Sequence, residues 1–239
     1  MQKAFLKIAL AVFGLLLSLN SVQGQSPTQQ LARADSLFNI KKYTQSLEVY
    51  TELVDKKIFS TAMLLRMAFI EEGLMHKANA LYYLNLYYQY TFDEAAIRKI
   101  QEIAEANRFT GYEQTDLDKL EMAWRKHGYL VTLVLVVVAV VFTVLLVVSN
   151  RNRKAHWAAQ SFCFALLLIH LNFPFKEKAI IKQGTAYLMS GPSAGSSVVA
   201  VIGEGNRVTV LGREDVWVKV LWQDREVYVR ESNVKAIKI

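Results

Sequence analysis

The spacing of hydrophobic and polar residues changes twice along the chain. Between residues 28 and 107, apolar and small side chains recur every three or four positions, which is the period of one helix face. Residues 129–149 form an apolar run without a charge or a glycine. After Pro174, short runs that alternate between apolar and polar side chains are separated by glycine, serine and aspartate. The pattern therefore predicts a helical part, a membrane segment and a β part, in this order.

The helical part is predicted to begin after Pro27 and to contain two helical pairs followed by a fifth helix. The apolar faces place these helices at residues 28–40, 44–56, 60–72, 76–90 and about 92–107. Thr115 and Asp118 have the spacing of a capping box, which predicts a further helix that leads into the apolar run. We assign residues 25–128 to this helical domain.

The two helical pairs repeat each other at an offset of 32 residues. Ser46 then matches Ala78 and Tyr50 matches Tyr82, so each pair has a small residue followed one helical turn later by a tyrosine. This arrangement resembles tetratricopeptide repeats, whose period is near 34 residues, and the resemblance covers residues 30–90. It implies that these four residues pack neighbouring helices and that a concave surface binds protein segments. The other tyrosines of the fourth helix either line the repeat core or form a peptide groove.

The N-terminus has the features of a secretory signal peptide. Lys3 and Lys7 precede the apolar run 8–19, which small or neutral residues follow. Residues 1–24 would form the signal peptide, and cleavage would leave Gln25 as the first residue. An uncleaved anchor helix is the alternative, although the apolar run is short for a full membrane span.

Two further apolar segments are predicted to cross the membrane. The run 129–149 has 21 residues, close to the roughly 20 that a helix needs to cross the bilayer core. The segment 155–173 is long enough for a second span, and its four polar side chains, His156, Gln160, His170 and Asn172, lie mostly toward the two ends. An interfacial helix is the alternative for this second segment.

A short basic loop, residues 150–154, would connect the two spans. Arg151, Arg153 and Lys154 then lie in a tight cytoplasmic turn, which agrees with the preference of basic residues for the cytoplasmic side. If the signal peptide directs the helical domain across the inner membrane, the hairpin returns the chain to the same side. Both folded domains are thus predicted to be extracytoplasmic, in the periplasm.

The β part, residues 174–239, is predicted to contain seven short strands. The runs are AIIK, AYLM, VVAVI, RVTVLG, VWVKVLW, EVYVR and VKAIKI, separated by turn-forming residues. Seven short strands in so few residues indicate a small barrel or sandwich.

The order of these features resembles a bacterial SH3 (SH3b) domain over residues 179–237. A Pro/Ser loop follows the second run, a glycine turn precedes RVTVLG, and DVWVKV leads into a short hairpin turn. The resemblance implies a groove for peptides or cell-wall peptide stems, with Tyr187, Asp215, Trp217 and Tyr228 as the candidate residues. Packing in the barrel core is an equal alternative for each aromatic residue.

Charge and chemistry exclude several classes of function. The formal charge is +7, yet residues 25–128 contain 13 basic and 14 acidic side chains, and no basic face with interleaved aromatics predicts nucleic-acid binding. The histidines are scattered singly, and the lone cysteine, Cys163, lies inside the second apolar segment, where we expect a buried hydrophobic side chain. We therefore expect no enzymatic activity, no metal site and no cofactor.

Taken together, the architecture resembles the BatE-like proteins of aerotolerance operons. The fold class is then a multi-domain membrane protein with all-α tetratricopeptide-like repeats, a two-helix transmembrane hairpin and a small all-β SH3-like barrel. The resemblance implies a non-enzymatic scaffold in the cell envelope that contacts the lipid bilayer and other membrane proteins, with a role in stress tolerance. The alternative is an envelope sensor or anchor whose SH3-like domain binds peptidoglycan or another cell-wall peptide.

Overall fold

The structure is a computed structural model. It describes residues 26–148, 153–172, 175–182 and 184–238. The helices are α1 (Pro27–Asn39), α2 (Tyr43–Asp55), α3 (Thr61–Gly73), α4 (Lys77–Thr91), α5 (Glu94–Ala106), α6 (Asp116–Val148) and α7 (Arg153–Leu171). The strands are β1 (Glu177–Ile181), β2 (Thr185–Met189), β3 (Val198–Gly203), β4 (Arg207–Glu214), β5 (Trp217–Trp222), β6 (Arg225–Arg230) and β7 (Val234–Ala236).

Several predictions concern residues that the structure does not describe. The signal peptide, residues 1–24, and the cleavage point at Gln25 lie outside the described residues, and so do Arg151 and the side chain of Arg153. Lys154 of the predicted loop is described and is exposed near the start of α7.

The first of two compact units, residues 1–60, contains the helical pair α1 and α2. Ser26 caps α1 because its hydroxyl accepts from the Gln29 N–H while the Gln29 side chain accepts from the Ser26 N–H. Between the helices, the Ser46 hydroxyl donates to the carbonyl oxygen of Ala34 at 2.8 Å, and both residues are fully buried. Tyr50 is also buried and donates to Asp35. Ser46 and Tyr50 therefore pack inside this pair.

The second unit, residues 61–239, begins with α3, α4 and α5, which pack in sequence order. The predicted helices agree with the observed ones to within two residues at each end. Their buried side chains include Leu64 and Met67 of α3, Leu81 of α4 and Ile100 of α5. The amphipathic pattern thus predicted the helices and their approximate ends correctly.

Helix α4 departs from the predicted repeat packing. Ala78 is only partly buried, whereas Ala80 is completely buried and is the small residue of the core. Tyr82 is buried, but its hydroxyl donates to the carbonyl oxygen of Lys238, after the last strand, at 3.2 Å. The reason is that α4 packs against both α3 and α5 and also contacts β1, so this helix is covered on several sides.

Helix α6 runs without interruption from a polar start into the long apolar run. The Thr115 hydroxyl accepts from the Asp118 N–H at 3.1 Å and the Asp118 carboxylate accepts from the Thr115 N–H at 3.2 Å, which forms the predicted capping box. The apolar part has a mean hydropathy of 3.4 and is not buried inside the protein. Among the described residues, α6 is the one helix whose length and composition would allow it to cross a membrane.

Helix α7 packs antiparallel along α6. The Gln160 side chain donates to Thr143 at 3.2 Å, the Cys163 thiol to the Leu135 carbonyl oxygen at 3.3 Å, and His170 lies 3.1 Å from the Gly128 carbonyl oxygen. Cys163 is a buried free cysteine, as expected. A second membrane crossing by α7 stays a prediction.

The β part forms one antiparallel sheet with the strand order β3-β2-β6-β5-β4-β1-β7. All seven predicted strands are present. Every strand contributes a side chain to one buried cluster, for example Leu188 from β2, Val218 from β5 and Val229 from β6. The sheet is therefore folded around a single apolar core.

Candidate functional site

The candidate site lies on the outer face of strands β2, β5 and β6. Because side chains alternate along a strand, Leu188, Val218 and Val229 point into the core and their neighbours point outward. The register pairs Trp217 with Arg230 across β5 and β6. The outer face thus combines aromatic side chains with a guanidinium.

A pocket of about 250 Å³ opens on this face. Its lining residues are Tyr187, Met189, Ala194, Val198, Trp217, Arg230 and Asn233. Tyr187 is 55% exposed, whereas Trp217 is only 7% exposed and forms the covered part of the lining. The Arg230 guanidinium lies over the Trp217 ring, 5.6 Å from its centroid. The pocket therefore offers an apolar aromatic surface beside one positive charge, which fits an apolar group next to a carboxylate.

Two of the four candidate residues from the sequence meet in this pocket. Tyr187 and Trp217 line it; Tyr187 is exposed, whereas Trp217 is a buried side chain on the face opposite the main apolar cluster, so a packing role stays an alternative for Trp217. Tyr228 lies outside the pocket lining, and its hydroxyl donates to Glu214 at 3.4 Å. Asp215 is exposed in the β4–β5 turn with a left-handed φ of 55° and does not line the pocket either.

The sequence reasoning missed Arg230 and Met189. Arg230 is two positions after Tyr228 and Met189 two positions after Tyr187, so strand alternation alone places each on the same face as the tyrosine. The alternation rule could therefore have found both residues, but not their distance from Trp217, which depends on the pairing of β2 and β5 with β6.

A second arrangement joins the β part to the helices and centres on Arg207 at the start of β4. Its Nε donates to the Gly111 carbonyl oxygen at 2.7 Å and its Nη1 to the Asn85 side-chain oxygen at 3.0 Å. The guanidinium lies 4.6 Å from the centroid of the Tyr112 ring. Arg207 is only 7% exposed, and burial lowers its pKa from the usual value. A guanidinium suits this position because it can donate to two acceptors in fixed directions.

Main-chain and side-chain contacts around Arg207 complete the connection. The Asn206 side-chain oxygen accepts from the Thr110 N–H at 2.8 Å, and the Tyr112 hydroxyl donates to the Gly205 carbonyl oxygen at 2.7 Å. Burial raises the pKa of Tyr112, against the opposing effect of the Arg207 charge. We call this set the Arg207 clasp; its members are Asn85, Thr110, Gly111, Tyr112, Gly205, Asn206 and Arg207.

Further contacts link the β part to α4 and α6. Gln89 donates to the Ile237 carbonyl oxygen at 3.3 Å, and the Lys178 ammonium lies 2.6 Å from the Asp118 carboxylate. Burial, together with the nearby Arg207 charge, lowers the pKa of Lys178. The β part is consequently fixed to the helices at several points.

No group of three or more histidine, cysteine, aspartate or glutamate side chains with the geometry of a metal site occurs in the part of the chain that the structure describes. The candidate pocket contains neither an acid–base pair nor a nucleophile beside a base.

The comparisons with known proteins bear on the β part. Residues 184–235 match the family model described as the bacterial SH3 domain. The matched region runs from the start of β2 into β7 and includes the pocket. No curated protein and no solved structure matches the chain. The β part therefore contains a bacterial SH3 domain, as predicted, while the tetratricopeptide and BatE-like resemblances stay predictions.

Proposed function

We propose that this chain is a membrane-anchored binding protein whose bacterial SH3 domain binds a cell-wall peptide. The pocket between Tyr187, Trp217 and Arg230 is the observation that carries the proposal. An aromatic surface can cover the apolar side chains of a short peptide, and a guanidinium can pair with a peptide carboxylate. The function proposed is binding, without catalysis and without a cofactor.

Helix α6 supplies the anchor in this proposal, with α7 as the second, returning span. The predicted signal peptide, residues 1–24, would export the helical domain, and a cytoplasmic turn around Lys154 would return the chain to the extracytoplasmic side. The SH3 domain would then lie on the extracytoplasmic side of the inner membrane, where wall peptides occur. The arrangement suits an envelope sensor or anchor.

Replacing Tyr187 by alanine should weaken the binding of labelled wall peptide stems about tenfold, because stacked aromatic side chains contribute roughly 1–2 kcal/mol at binding sites. Tyr187 is largely exposed, so the fold should tolerate the change. Binding is measured by fluorescence anisotropy with the full chain in detergent. The same peptides added to intact spheroplasts should bind only if the SH3 domain is extracytoplasmic.

Leu211→Ala is the matched control for this experiment. Leu211 is also exposed on the sheet but lies outside the pocket lining, so its loss should leave peptide affinity unchanged. Equal affinities for wild type and Tyr187→Ala would exclude the pocket as the binding site. Binding that appears only after spheroplast lysis would contradict the proposed side of the membrane.

A protein-interaction scaffold is the second candidate function, and an apolar strip on α3 favours it. Leu65 and Phe69 lie one helical turn apart and are 43% and 56% exposed. A partner helix or peptide from another envelope protein could pack against the exposed parts of these two side chains. A part in stress tolerance is implied only by the resemblance to BatE-like proteins.

Exchanging both residues for glutamine should abolish the capture of such a partner by the full chain while the thermal midpoint stays near that of wild type. Capture is followed by cross-linking in membranes and mass spectrometry, with Tyr187→Ala as the control that keeps the α3 strip. If wild type and the variant without Leu65 and Phe69 cross-link to the same proteins, the α3 strip does not bind a partner and the scaffold proposal fails.

A further inference from the structure

A second pocket, outside the SH3 site, lies where α6 approaches its apolar run. This cavity of about 220 Å³ is bounded by α4, α5, the first turns of α6 and the chain around β1. Lys126 is the last α6 residue in its lining, and the apolar run begins three positions later at Tyr129. We call this cavity the juxtamembrane pocket.

The charges of the juxtamembrane pocket are unbalanced. Its lining has six basic and three acidic side chains. Three of the basic groups are already engaged: Lys178 with Asp118, Lys119 with Asp116, and Arg207 in the clasp. The positive charge that remains available must come from the other three.

Those three are Arg125, Lys126 and Lys176. All are exposed, and among the described residues no ion pair includes any of them. The Arg125 guanidinium lies over the Phe175 ring at 5.2 Å, which brings the chain that follows α7 next to α6. The two acidic residues besides Asp118 are Glu94 and Glu121, and Glu94 lies 3.8 Å from Arg98.

The position of these cations matches the headgroup level of a bilayer that contains α6. Gly128 of α6 contacts His170 near the end of α7, so the two helices leave the apolar layer at the same height. Arg125 and Lys126 stand one turn above this contact, and Lys176 follows α7 on the same side. Cationic side chains at this level attract the phosphates of anionic lipids.

We propose that the juxtamembrane pocket binds the phosphate-bearing headgroup of an anionic phospholipid through Arg125, Lys126 and Lys176. The cavity accepts the headgroup while the acyl chains lie along the apolar surface of α6. The proposal rests on the membrane anchoring by α6 but is independent of the wall-peptide pocket, to which these three residues do not belong.

The test uses the full chain in a mild neutral detergent with phosphatidylglycerol or phosphatidylcholine added, and native mass spectrometry counts the lipids retained. Wild type should retain phosphatidylglycerol on the order of tenfold more than phosphatidylcholine, because each cation near an anionic headgroup contributes favourably. The variant Arg125→Gln/Lys126→Gln/Lys176→Gln should lose this preference. Lys42→Gln/Lys56→Gln/Lys182→Gln, which removes three exposed lysines elsewhere, should keep it.

Inorganic phosphate at constant ionic strength separates a lipid site from a site for free phosphate. It should leave the retained phosphatidylglycerol unchanged; displacement at millimolar concentration would assign the pocket to the free anion and overturn the lipid proposal. Equal retention of the two lipids by wild type, or an undiminished preference in the triple variant, would also overturn it. If the triple variant does not fold, the single variant Lys126→Gln should still reduce the preference about twofold, which is one cation's share of a tenfold preference.

The lipid experiment and the wall-peptide experiment can fail independently of each other. Recovery of the chain without detergent would contradict the membrane anchor before any lipid is added. The triple variant should bind wall peptides as wild type does, so a failure of one proposal leaves the other to its own test.

Discussion

Replacing Arg207 by alanine should lower the free energy of unfolding of the second unit by about 3 kcal/mol, since hydrogen bonds from a charged group contribute roughly 1.5–3 kcal/mol and the buried partners stay behind unsatisfied. Those partners are the Asn85 side-chain oxygen and the Gly111 carbonyl oxygen. Denaturant unfolding in detergent measures the change. Trypsin should also cleave faster after the exposed Arg108, which precedes the clasp.

Arg213 provides the matched control, because it lies on the same strand but its guanidinium is partly exposed and pairs with Glu177. Arg213→Ala should cost no more than about 1 kcal/mol, as exposed ion pairs do. Arg207→Lys should recover only part of the loss, since an ammonium lacks the planar fork that reaches two acceptors. Equal effects of Arg207→Ala and Arg213→Ala would show that the clasp contributes nothing beyond a surface contact.

Gly111→Ala should lower the free energy of unfolding about as much as Arg207→Ala, by roughly 3 kcal/mol, because backbone strain and a steric overlap add. Gly111 has a φ of +83°, and a Cβ atom there would overlap the main-chain carbonyl oxygen of Arg207, which is not the end of a flexible side chain. Neither group can move without separating the 108–112 loop from the β3–β4 turn. Unfolding curves and trypsin cleavage after Arg108 serve again as the measurements.

Gly184 separates backbone strain from steric overlap. It has a φ of +91°, but among the described residues, its chain neighbours apart, no atom lies within 4 Å of the position of its Cβ. Gly184→Ala should therefore cost only about 1 kcal/mol of conformational strain. If the two glycine variants lose the same stability, the overlap at Gly111 is relieved by movement and the clasp is looser than the structure indicates.

The two clasp variants should not be additive. Arg207→Ala and Gly111→Ala remove contacts between the same two segments, so the double variant should lose little more than the larger single loss. The clasp contacts join the SH3 domain to the helices. The orientation of the Tyr187–Trp217 pocket is thereby set with respect to α4, α5 and the start of α6.

Much of the fold followed from local pattern. The apolar stripes of α1 to α5 predicted helix ends to within two residues, and the alternation after Pro174 predicted all seven strands. A helix face depends on residues three or four positions apart and a strand face on residues two positions apart. Both patterns can therefore be seen in the sequence. The surroundings that depend on distant segments did not follow from this local pattern: Ala78 is partly exposed, and Tyr228 and Asp215 lie outside the pocket.

The candidate site shows the same division at the level of single residues. Tyr187 and Trp217 could be selected because the bacterial SH3 pattern marks them. Arg230 pairs with Trp217 across the β5–β6 hairpin, whereas Tyr187 reaches the same pocket only because the distant strand β2 pairs with β6. In the sequence, Arg207 is an ordinary basic residue at the start of a strand. It is buried and hydrogen-bonded in the structure because Asn85 and Gly111, which are 122 and 96 positions away, lie next to it.

The sequence by itself therefore determined the element types, their order, the apolar run of α6 and the bacterial SH3 domain, because these depend on short-range periodicity, hydropathy and turn residues. The tertiary structure alone decided which residues share the Tyr187–Trp217 pocket, how the SH3 domain is fixed to the helices, and how Arg125, Lys126 and Lys176 come together beside the apolar run of α6. The physical reason is that burial and charge pairing are properties of surfaces brought together by folding, and residues far apart in the chain supply the two sides of each contact.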